Sequence, residues 1–307
     1  MEIQKKEYRW ATLGCGVIAN ELAQAMESKG RKLYSIANRT YEKAVSFAEK
    51  YGIEKVYDSI DEDARLNRNR HGQMEYFTTM EYIHRHMTDG AKILEIGAGT
   101  GRYSIALAQE GYDVTAIELV EHNLDILKEN GSDLDNLQSY QGDALDLSRF
   151  SDGEFDLTLV FGPMYHLYDK DDICKAINEA IRVTKENGII LVAFLSVYAI
   201  LFDNYINGGL IEGIEENFTD EYTVKHFEEQ LFTGYDIAEF EQLFADKEVE
   251  YLSTVAVDSI LELAEGRKDF AMSDDEFKAF AKYHLATCEK RELLGCSSHL
   301  LYICRRR

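Results

Sequence analysis

A chain of 307 residues, 45% of them hydrophobic, can bury one large core or two ordinary ones, which excludes a disordered or fibrous protein. Its formal net charge of −23 opposes unaided binding to nucleic acid, because phosphate backbones are bound mainly through lysine and arginine. The five cysteines are odd in number and lack CxxC spacing. They therefore indicate reduced thiols, with neither a disulfide scaffold nor a metal site.

No segment of the sequence has the features of a targeting or membrane-spanning element. The amino-terminal stretch, MEIQKKEYRW, lacks the apolar core that a signal peptide needs. The longest apolar stretch, residues 188–202, is shorter than the ~20 residues of a membrane span and contains Ser196 and Tyr198. We therefore expect a cytoplasmic protein without a membrane partner.

The first 59 residues alternate apolar stretches with helix-like segments, which predicts a small βαβα unit. A glycine-containing turn, Gly14-x-Gly16-x-x-Ala19, follows the first apolar stretch. Charge supports a boundary near residue 60, since residues 1–58 hold 10 lysines and arginines against 8 acidic residues while the rest of the chain is strongly acidic. The predicted strands and helices are residues 10–13, 17–29, 34–37 and 41–51.

A turn of this kind can hold a dinucleotide, because glycines let the backbone approach a pyrophosphate and Arg39, after the second strand, would suit a 2′-phosphate. Through GCGVIA, ANRT and YGIEKVYDS, residues 9–59 resemble the amino-terminal end of the glucose-fructose oxidoreductase and inositol dehydrogenase family. The catalytic Glu-Lys-Pro motif of that family has no counterpart, because Pro163 is the only proline. We expect a structural or dimerising remnant here and regard NADP binding as the less favoured alternative.

Residues 91–102, AKILEIGAGTGR, contain a second and more specific glycine-rich turn. A short apolar strand leads into Gly97-x-Gly99-x-Gly101 and then into a helix. The next apolar strand ends in Glu118, where a carboxylate can accept hydrogen bonds from both hydroxyls of a ribose.

Further strands and helices alternate along the rest of the chain, which predicts an α/β fold with a mainly parallel sheet covered by helices on both faces. A helix over about residues 171–185 separates two strongly apolar strands, and residues 299–304 are predicted to form the last strand, at an edge. The other predicted strands are residues 137–140, 155–161, 188–194 and 249–257.

In this order, LEIGAGTGR, Glu118, GDAL, FDLTLVFGPMYHL and GIILVAF resemble the succession of motifs in class I S-adenosylmethionine (SAM)-dependent methyltransferases. The resemblance covers about residues 60–307 and implies a Rossmann-like sheet. It also implies SAM as the cofactor and S-adenosylhomocysteine (SAH) as its product.

The resemblance implies particular cofactor contacts. The glycines wrap the methionine part, Glu118 takes the ribose hydroxyls, and Asp143 and the Ala144 N–H meet the adenine. Glu95 helps to position the amino group, and the backbone around Phe161 approaches it. The full implied set is Glu95, Gly97, Ala98, Gly99, Gly101, Glu118, Leu119, Asp143, Ala144, Phe161, Gly162 and Tyr76.

Two segments outside this core are expected to cover the site. Apolar residues at helical spacing predict a helix between Asp61 and Met87, so residues 60–88 would form a lid helix from which Gln73, Tyr76 and Phe77 could face the ligand. Simple packing on the sheet is the alternative. Residues 196–247 are too many for a plain connection and predict a substrate lid.

The acceptor side offers one candidate base. Tyr165 and His166 lie just beyond the fourth strand of the methyltransferase-like region, where His166 could accept a proton from the methyl acceptor. The alternative is a histidine that only fixes the local loop.

The leading hypothesis is a SAM-dependent methyltransferase that transfers a methyl group to an oxygen or nitrogen of a small molecule by in-line displacement. One alternative is a bifunctional or NADP-binding protein that uses the amino-terminal turn. Whichever function holds, the amino-terminal unit could form a homodimer. Another is a non-catalytic protein that binds SAM. RNA methylation is opposed by the charge.

Overall fold

Contacts within the chain divide it into two units, residues 1–65 and 66–307. The computed structural model describes residues 11–13, 15–38, 41–53, 55–58, 69–228, 230 and 232–307. The sequence predicts a boundary near residue 60, and residues 60–65, between the predicted boundary and this one, lie outside the described ranges. Within those ranges, no helix combines the length and the apolar character needed to cross a bilayer.

The amino-terminal unit is a parallel three-stranded sheet whose strands lie side by side in chain order. Its elements are β1 (Ala11–Leu13), α1 (Val17–Glu27), β2 (Ser35–Asn38), α2 (Tyr41–Tyr51) and β3 (Lys55–Asp58). The third strand corrects the predicted βαβα unit to βαβαβ. Four residues are too short to show a strand period, and parallel pairing with β2 is what makes them a strand.

Only some of the residues predicted to contact a dinucleotide lie in the described part of the chain. Gly14 and Arg39 lie outside the described residues. Gly16 is exposed and forms the amino-terminal cap of α1 without a side-chain hydrogen bond. Dinucleotide binding and dimerisation through this unit stay predictions.

The second unit contains a larger, mainly parallel sheet. Across the sheet the strand order is β10-β11-β8-β7-β4-β5-β6, and the short β9 pairs with the end of β8. The strands are β4 (Lys92–Ile96), β5 (Asp113–Glu118), β6 (Leu137–Gln141), β7 (Phe155–Val160), β8 (Thr184–Ser196), β9 (Gly234–Tyr235), β10 (Val249–Ala256) and β11 (His299–Arg306). The strands that follow β4 lie first on one side of it (β5 and β6) and then on the other (β7 and β8), so a crevice opens at the carboxyl ends of β4, β5 and β7.

The helices of this unit connect the strands and cover the sheet. They are α3 (Arg70–His86), α4 (Arg102–Gln109), α5 (Glu121–Asn130), α6 (Lys170–Val183), α7 (Val197–Tyr205), α8 (Leu210–Asn217), α9 (Ile237–Gln242), α10 (Leu261–Glu265), α11 (Asp274–Thr287) and α12 (Arg291–Leu294). A short 3₁₀ turn, Pro163–Tyr165, follows β7. The predicted substrate lid, residues 196–247, contains α7, α8, β9 and α9.

β11 is not the edge strand that the sequence predicted. It lies between β8 and β10 and is antiparallel to both. Its residues Leu300 to Cys304 are all buried, as expected of a strand covered on both faces. The continuous apolar run Leu-Leu-Tyr-Ile-Cys therefore indicates a central strand, and β10 is the edge strand on this side of the sheet.

The start of α3 is held by α10 and α11. The Glu265 carboxylate accepts hydrogen bonds from the backbone N–H of Arg70 (2.6 Å) and of His71 (3.1 Å). Asn69 caps the helix by accepting from the Gly72 N–H, and Arg70 pairs with Asp274 at 2.5 Å. A carboxylate at a helix amino terminus satisfies donors that lack intrahelical partners. The predicted residues 60–68 of this lid helix lie outside the described part of the chain.

Candidate cofactor and acceptor site

The glycine loop after β4 combines tight packing with one open position. Gly97, Gly99 and Gly101 all have positive φ, at 79°, 56° and 90°. A Cβ atom on Gly97 would lie 2.3 Å from the Phe161 carbonyl oxygen, and one on Gly101 would lie 2.7 Å from Leu127 Cγ. A Cβ on Gly99 would meet no atom within 4 Å. The loop therefore packs against protein at its ends and presents bare backbone at its middle, which fits a bound cofactor.

Glu118 ends β5 and ties that strand to the loop. One carboxylate oxygen accepts from the Gly99 N–H at 2.7 Å, and the other accepts from the Val120 N–H at 2.8 Å. The residue is 6% exposed. Each carboxylate oxygen can accept more than one hydrogen bond, so this pair retains capacity for two ribose hydroxyls.

An apolar surface and an acidic side chain lie next to Glu118. Leu119, the residue after β5, is 60% exposed. The Gly142 N–H donates to the Glu118 carbonyl oxygen at 3.1 Å, which brings the loop of Asp143 and Ala144 to the same corner. The Asp143 carboxylate accepts from the backbone N–H two residues further on, at 2.9 Å. This corner suits a flat, partly apolar base.

Glu95 is buried inside the unit. Only 1% of it is exposed, and it accepts a hydrogen bond from the Ser104 hydroxyl of α4. Burial raises the pKa of its carboxyl to about 7, the Ser104 hydrogen bonds oppose that rise, and the nearby charge of Glu118 adds to it. The Glu95 carboxyl is therefore mostly protonated below about pH 7.

Aromatic rings join the lid helix to the turn after β7. Tyr76 of α3 stacks on Tyr103 with ring centroids 5.4 Å apart, and Tyr103 meets Phe161 edge-on at 5.2 Å. The Arg102 guanidinium lies 4.7 Å from the centre of the Tyr76 ring. Of the other two predicted lid contacts, Gln73 accepts from Arg70 and Phe77 is 41% exposed.

The turn after β7 closes against the glycine loop. The Phe161 N–H donates to the Ile96 carbonyl oxygen at 2.9 Å, and Gly162 has a φ of 112° that only glycine adopts readily. The ring of His166 lies 5.3 Å from that of Phe232 in the predicted substrate lid. The ring of Tyr165 meets His299 edge-on at 6.1 Å.

His299 and Asp258 were missed by the sequence analysis. His299 Nδ1 lies 2.7 Å from a carboxylate oxygen of Asp258, which is fully buried. The only local feature at this point is a polar Ser297-Ser298-His299 segment next to an apolar run. The partner of His299, Asp258, lies forty-one residues earlier in the chain. Only the antiparallel pairing of β10 with β11 brings the two together.

Among the described residues, Asp258, Glu262 and His299 place atoms of metal-ligand type within 4.8 Å of one another. Both oxygens of Asp258 are already engaged, one by the Ser297 hydroxyl and the Ser298 N–H and the other by His299. We therefore interpret this group as a hydrogen-bond network.

Together, the strand order and the glycine loop are those of a Rossmann-like α/β fold, and Glu118 lies at the carboxyl ends of its central strands, where ligands of such folds bind. Residues 93–188 match the family described as "Methyltransferase domain". This part of the chain is therefore similar to a methyltransferase domain.

Curated relatives agree with this family. The chain is 28% identical over 212 residues to a glycine/sarcosine N-methyltransferase of Parasynechococcus marenigrum (strain WH8102), a match that covers 66% of this chain and 70% of the relative. It is 27% identical over 163 residues to a demethylmenaquinone methyltransferase of Staphylococcus epidermidis (strain ATCC 35984), covering 49% and 64%. A match to YqeM of Bacillus subtilis (strain 168) covers 53% of that relative, so the chain spans only part of several curated relatives.

A solved structure supports the fold. The PH0226 protein from Pyrococcus horikoshii OT3 superposes with a TM-score of 0.50 at 17% identity, over 76% of this chain and 91% of that one.

Substitution of two glycines separates packing from ligand binding. We expect Gly97→Ala to destabilise the fold by about 2 kcal/mol or more, because the new Cβ meets the Phe161 carbonyl oxygen. Gly99→Ala should lower the free energy of unfolding by only about 1 kcal/mol, through backbone strain. Among folded molecules, Gly99→Ala should weaken SAH binding at least as strongly as Gly97→Ala does. Urea unfolding and calorimetric titration with SAH measure both effects; equal stability losses would contradict the geometry.

Glu95 predicts a pH-dependent contribution to stability. Its pKa rises from 4.5 in the unfolded chain to about 7 in the fold, so the native state keeps a proton that the unfolded chain loses. This contribution is complete below about pH 4.5 and falls by roughly 3 kcal/mol as the pH rises through 7. Glu95→Gln should lack that fall, whereas Glu129→Gln, at an exposed position, should keep it. Urea unfolding at pH 5 and pH 8 tests this, and parallel pH profiles for both variants would refute it.

Proposed function

We propose that the chain transfers the methyl group of SAM to an oxygen or nitrogen atom of a small molecule. The observation that carries this proposal is the pairing of Glu118 with the Gly99 N–H at the open middle of the glycine loop. A buried carboxylate beside bare backbone at the carboxyl edge of the sheet supports the binding of a nucleoside with a methionine tail.

When bound, SAM supplies an electrophilic methyl group on a positively charged sulfur. The residues of this chain then have to hold the acceptor in line behind that methyl group and to keep water away. Orientation of this kind can contribute about 7–11 kcal/mol to lowering a barrier. Tyr76, Tyr103 and Phe161 form the aromatic contact that closes one side of the site.

Several observations favour a small acceptor. The relatives named above are a glycine/sarcosine N-methyltransferase and a demethylmenaquinone methyltransferase, which act on small molecules. The net charge of −23 disfavours RNA. The segment 196–247, which contributes Phe232 next to His166, is the proposed cover of the acceptor. Tyr165 and His166 stay candidates for contact with the acceptor, and a cytoplasmic location stays a prediction from the sequence.

Cofactor binding is the first test. We expect SAH to bind the chain in a calorimetric titration, and Glu118→Gln to weaken binding about 10- to 100-fold, because a charged acceptor of two hydroxyl hydrogen bonds is lost. Glu186→Gln, at an exposed position on β8, is the control and should bind as the wild type does. Transfer of tritium from methyl-labelled SAM to glycine, sarcosine or a hydroquinone then tests turnover. No SAH binding at millimolar concentration, with Glu118→Gln indistinguishable from the wild type, would refute the proposal.

A further inference from the structure

We infer that His299 and Asp258 form a dyad that accepts the proton of the methyl acceptor, with His299 as the catalytic residue that touches the substrate. This inference rests on the proposed methyl transfer. It assigns the role of base to a residue far in sequence from His166.

Asp258 is built to orient His299. It is fully buried, and one of its oxygens accepts from the Ser297 hydroxyl and from the Ser298 N–H at 3.0 Å. The other oxygen lies 2.7 Å from His299 Nδ1. A carboxylate fixed in this way holds the ring orientation and tautomer and stabilises the imidazolium that forms when the opposite nitrogen, Nε2, takes up a proton.

The dyad lies at the same edge of the sheet as the cofactor loop. His299 pairs in register with Leu195, at the carboxyl end of β8. Its ring contacts that of Tyr165, which belongs to the turn that begins at Gly162. That turn packs on the glycine loop so closely that Gly97 admits no Cβ atom. One short turn therefore separates the cofactor loop from His299.

Helix α3 spans both places. Tyr76 stacks on Tyr103 beside the cofactor loop, while the preceding residue, Glu75, has a carboxylate oxygen 3.9 Å from His299 Nδ1. Glu75 is 5% exposed. Neighbouring residues on one helix thus contact the dyad and Tyr103, which follows the cofactor loop by two residues. The acceptor would then lie between that loop and His299.

The charged groups around the dyad are mostly carboxylates, and they come from several elements. Glu75 faces it from α3 and Glu262 from α10. Asp203 of α7 accepts from the Ser298 hydroxyl at 3.1 Å, and burial next to Glu262 raises its pKa to about 6. Burial lowers the pKa of His284 of α11, and the nearby charge of Asp258 partly opposes that fall. Carboxylates from α3, α7 and α10 therefore lie around the dyad.

The proposed step balances as follows. The lone pair of the acceptor nitrogen or oxygen forms the bond to the methyl carbon, and the carbon–sulfur bond breaks with its electron pair retained by sulfur. The proton of the acceptor passes to His299 Nε2, and Asp258 stays ionised. The products are the methylated acceptor, SAH and a protonated His299, which returns its proton to solvent.

The first test needs no known acceptor. Diethyl pyrocarbonate, which reacts with neutral imidazole, should modify His299 in the SAH complex, as read by mass spectrometry of the peptide. Sinefungin, which carries an amino group where SAM carries its methyl group, should slow that modification several-fold. Modification should behave the same way in His166→Gln. An unreactive His299 in the SAH complex, or equal rates with SAH and sinefungin, would overturn the inference.

Kinetics provide the second test, with glycine, sarcosine and a hydroquinone as acceptor probes. We expect His299→Gln and Asp258→Asn to lower kcat by about 10²–10⁴-fold while SAH affinity and the KM for SAM stay unchanged. The residual rate of His299→Gln should rise with pH, because solvent then removes the acceptor proton. His84→Gln, at an exposed position on α3, is the control and should stay within a few-fold of the wild type.

Three results count against the dyad in distinct ways. Loss of activity in His166→Gln but not in His299→Gln would return the role to His166. Manganese binding by the chain that is abolished by Asp258→Asn, together with manganese-dependent turnover, would make the group a metal site instead. Failure of the wild type to bind SAH would refute the proposed function itself, whereas SAH binding with an unreactive His299 refutes only the dyad.

Discussion

The hydrogen bond from the Gly99 N–H to Glu118 is the interaction on which the site depends. It joins the end of β5 to the middle of the loop after β4. At that point of the loop, no protein atom lies within 4 Å of the position that a Cβ of residue 99 would take. Glu118 is almost fully buried, and the backbone N–H groups of Gly99 and Val120 give its carboxylate oxygens the hydrogen bonds that water would otherwise supply. A cofactor with two vicinal hydroxyls extends the same hydrogen-bond pattern outward.

A second constraint acts at the other side of the sheet, where β11 inserts antiparallel between β8 and β10. This insertion carries Ser297, Ser298 and His299 to the carboxyl end of β8, next to the turn that packs on the glycine loop. The same strand pairing brings the Asp258 carboxylate within hydrogen-bond distance of His299 Nδ1. The cofactor loop and the proposed dyad therefore arise from two different features of one sheet, and α3 lies against both.

The sequence predicted the parts of this arrangement that local pattern encodes. The glycine loop, Glu118 and the parallel strands follow from spacing and apolar runs, because positive φ and burial on both faces each demand particular residue types. The strand β3 and the central position of β11 could not be seen, because each depends on pairing with a distant strand. His299 was missed for the same reason: Asp258 becomes its partner only through the fold.

The most direct test of the central claim is a crystal structure of the chain with SAH. We expect both ribose hydroxyls within hydrogen-bond distance of the Glu118 carboxylate, the adenine over Leu119, and the sulfur facing the side of the site where Tyr165 and His299 lie. SAH bound elsewhere on the chain, or bound at the loop with its ribose away from Glu118, would contradict the assignment of this edge of the sheet as the cofactor site.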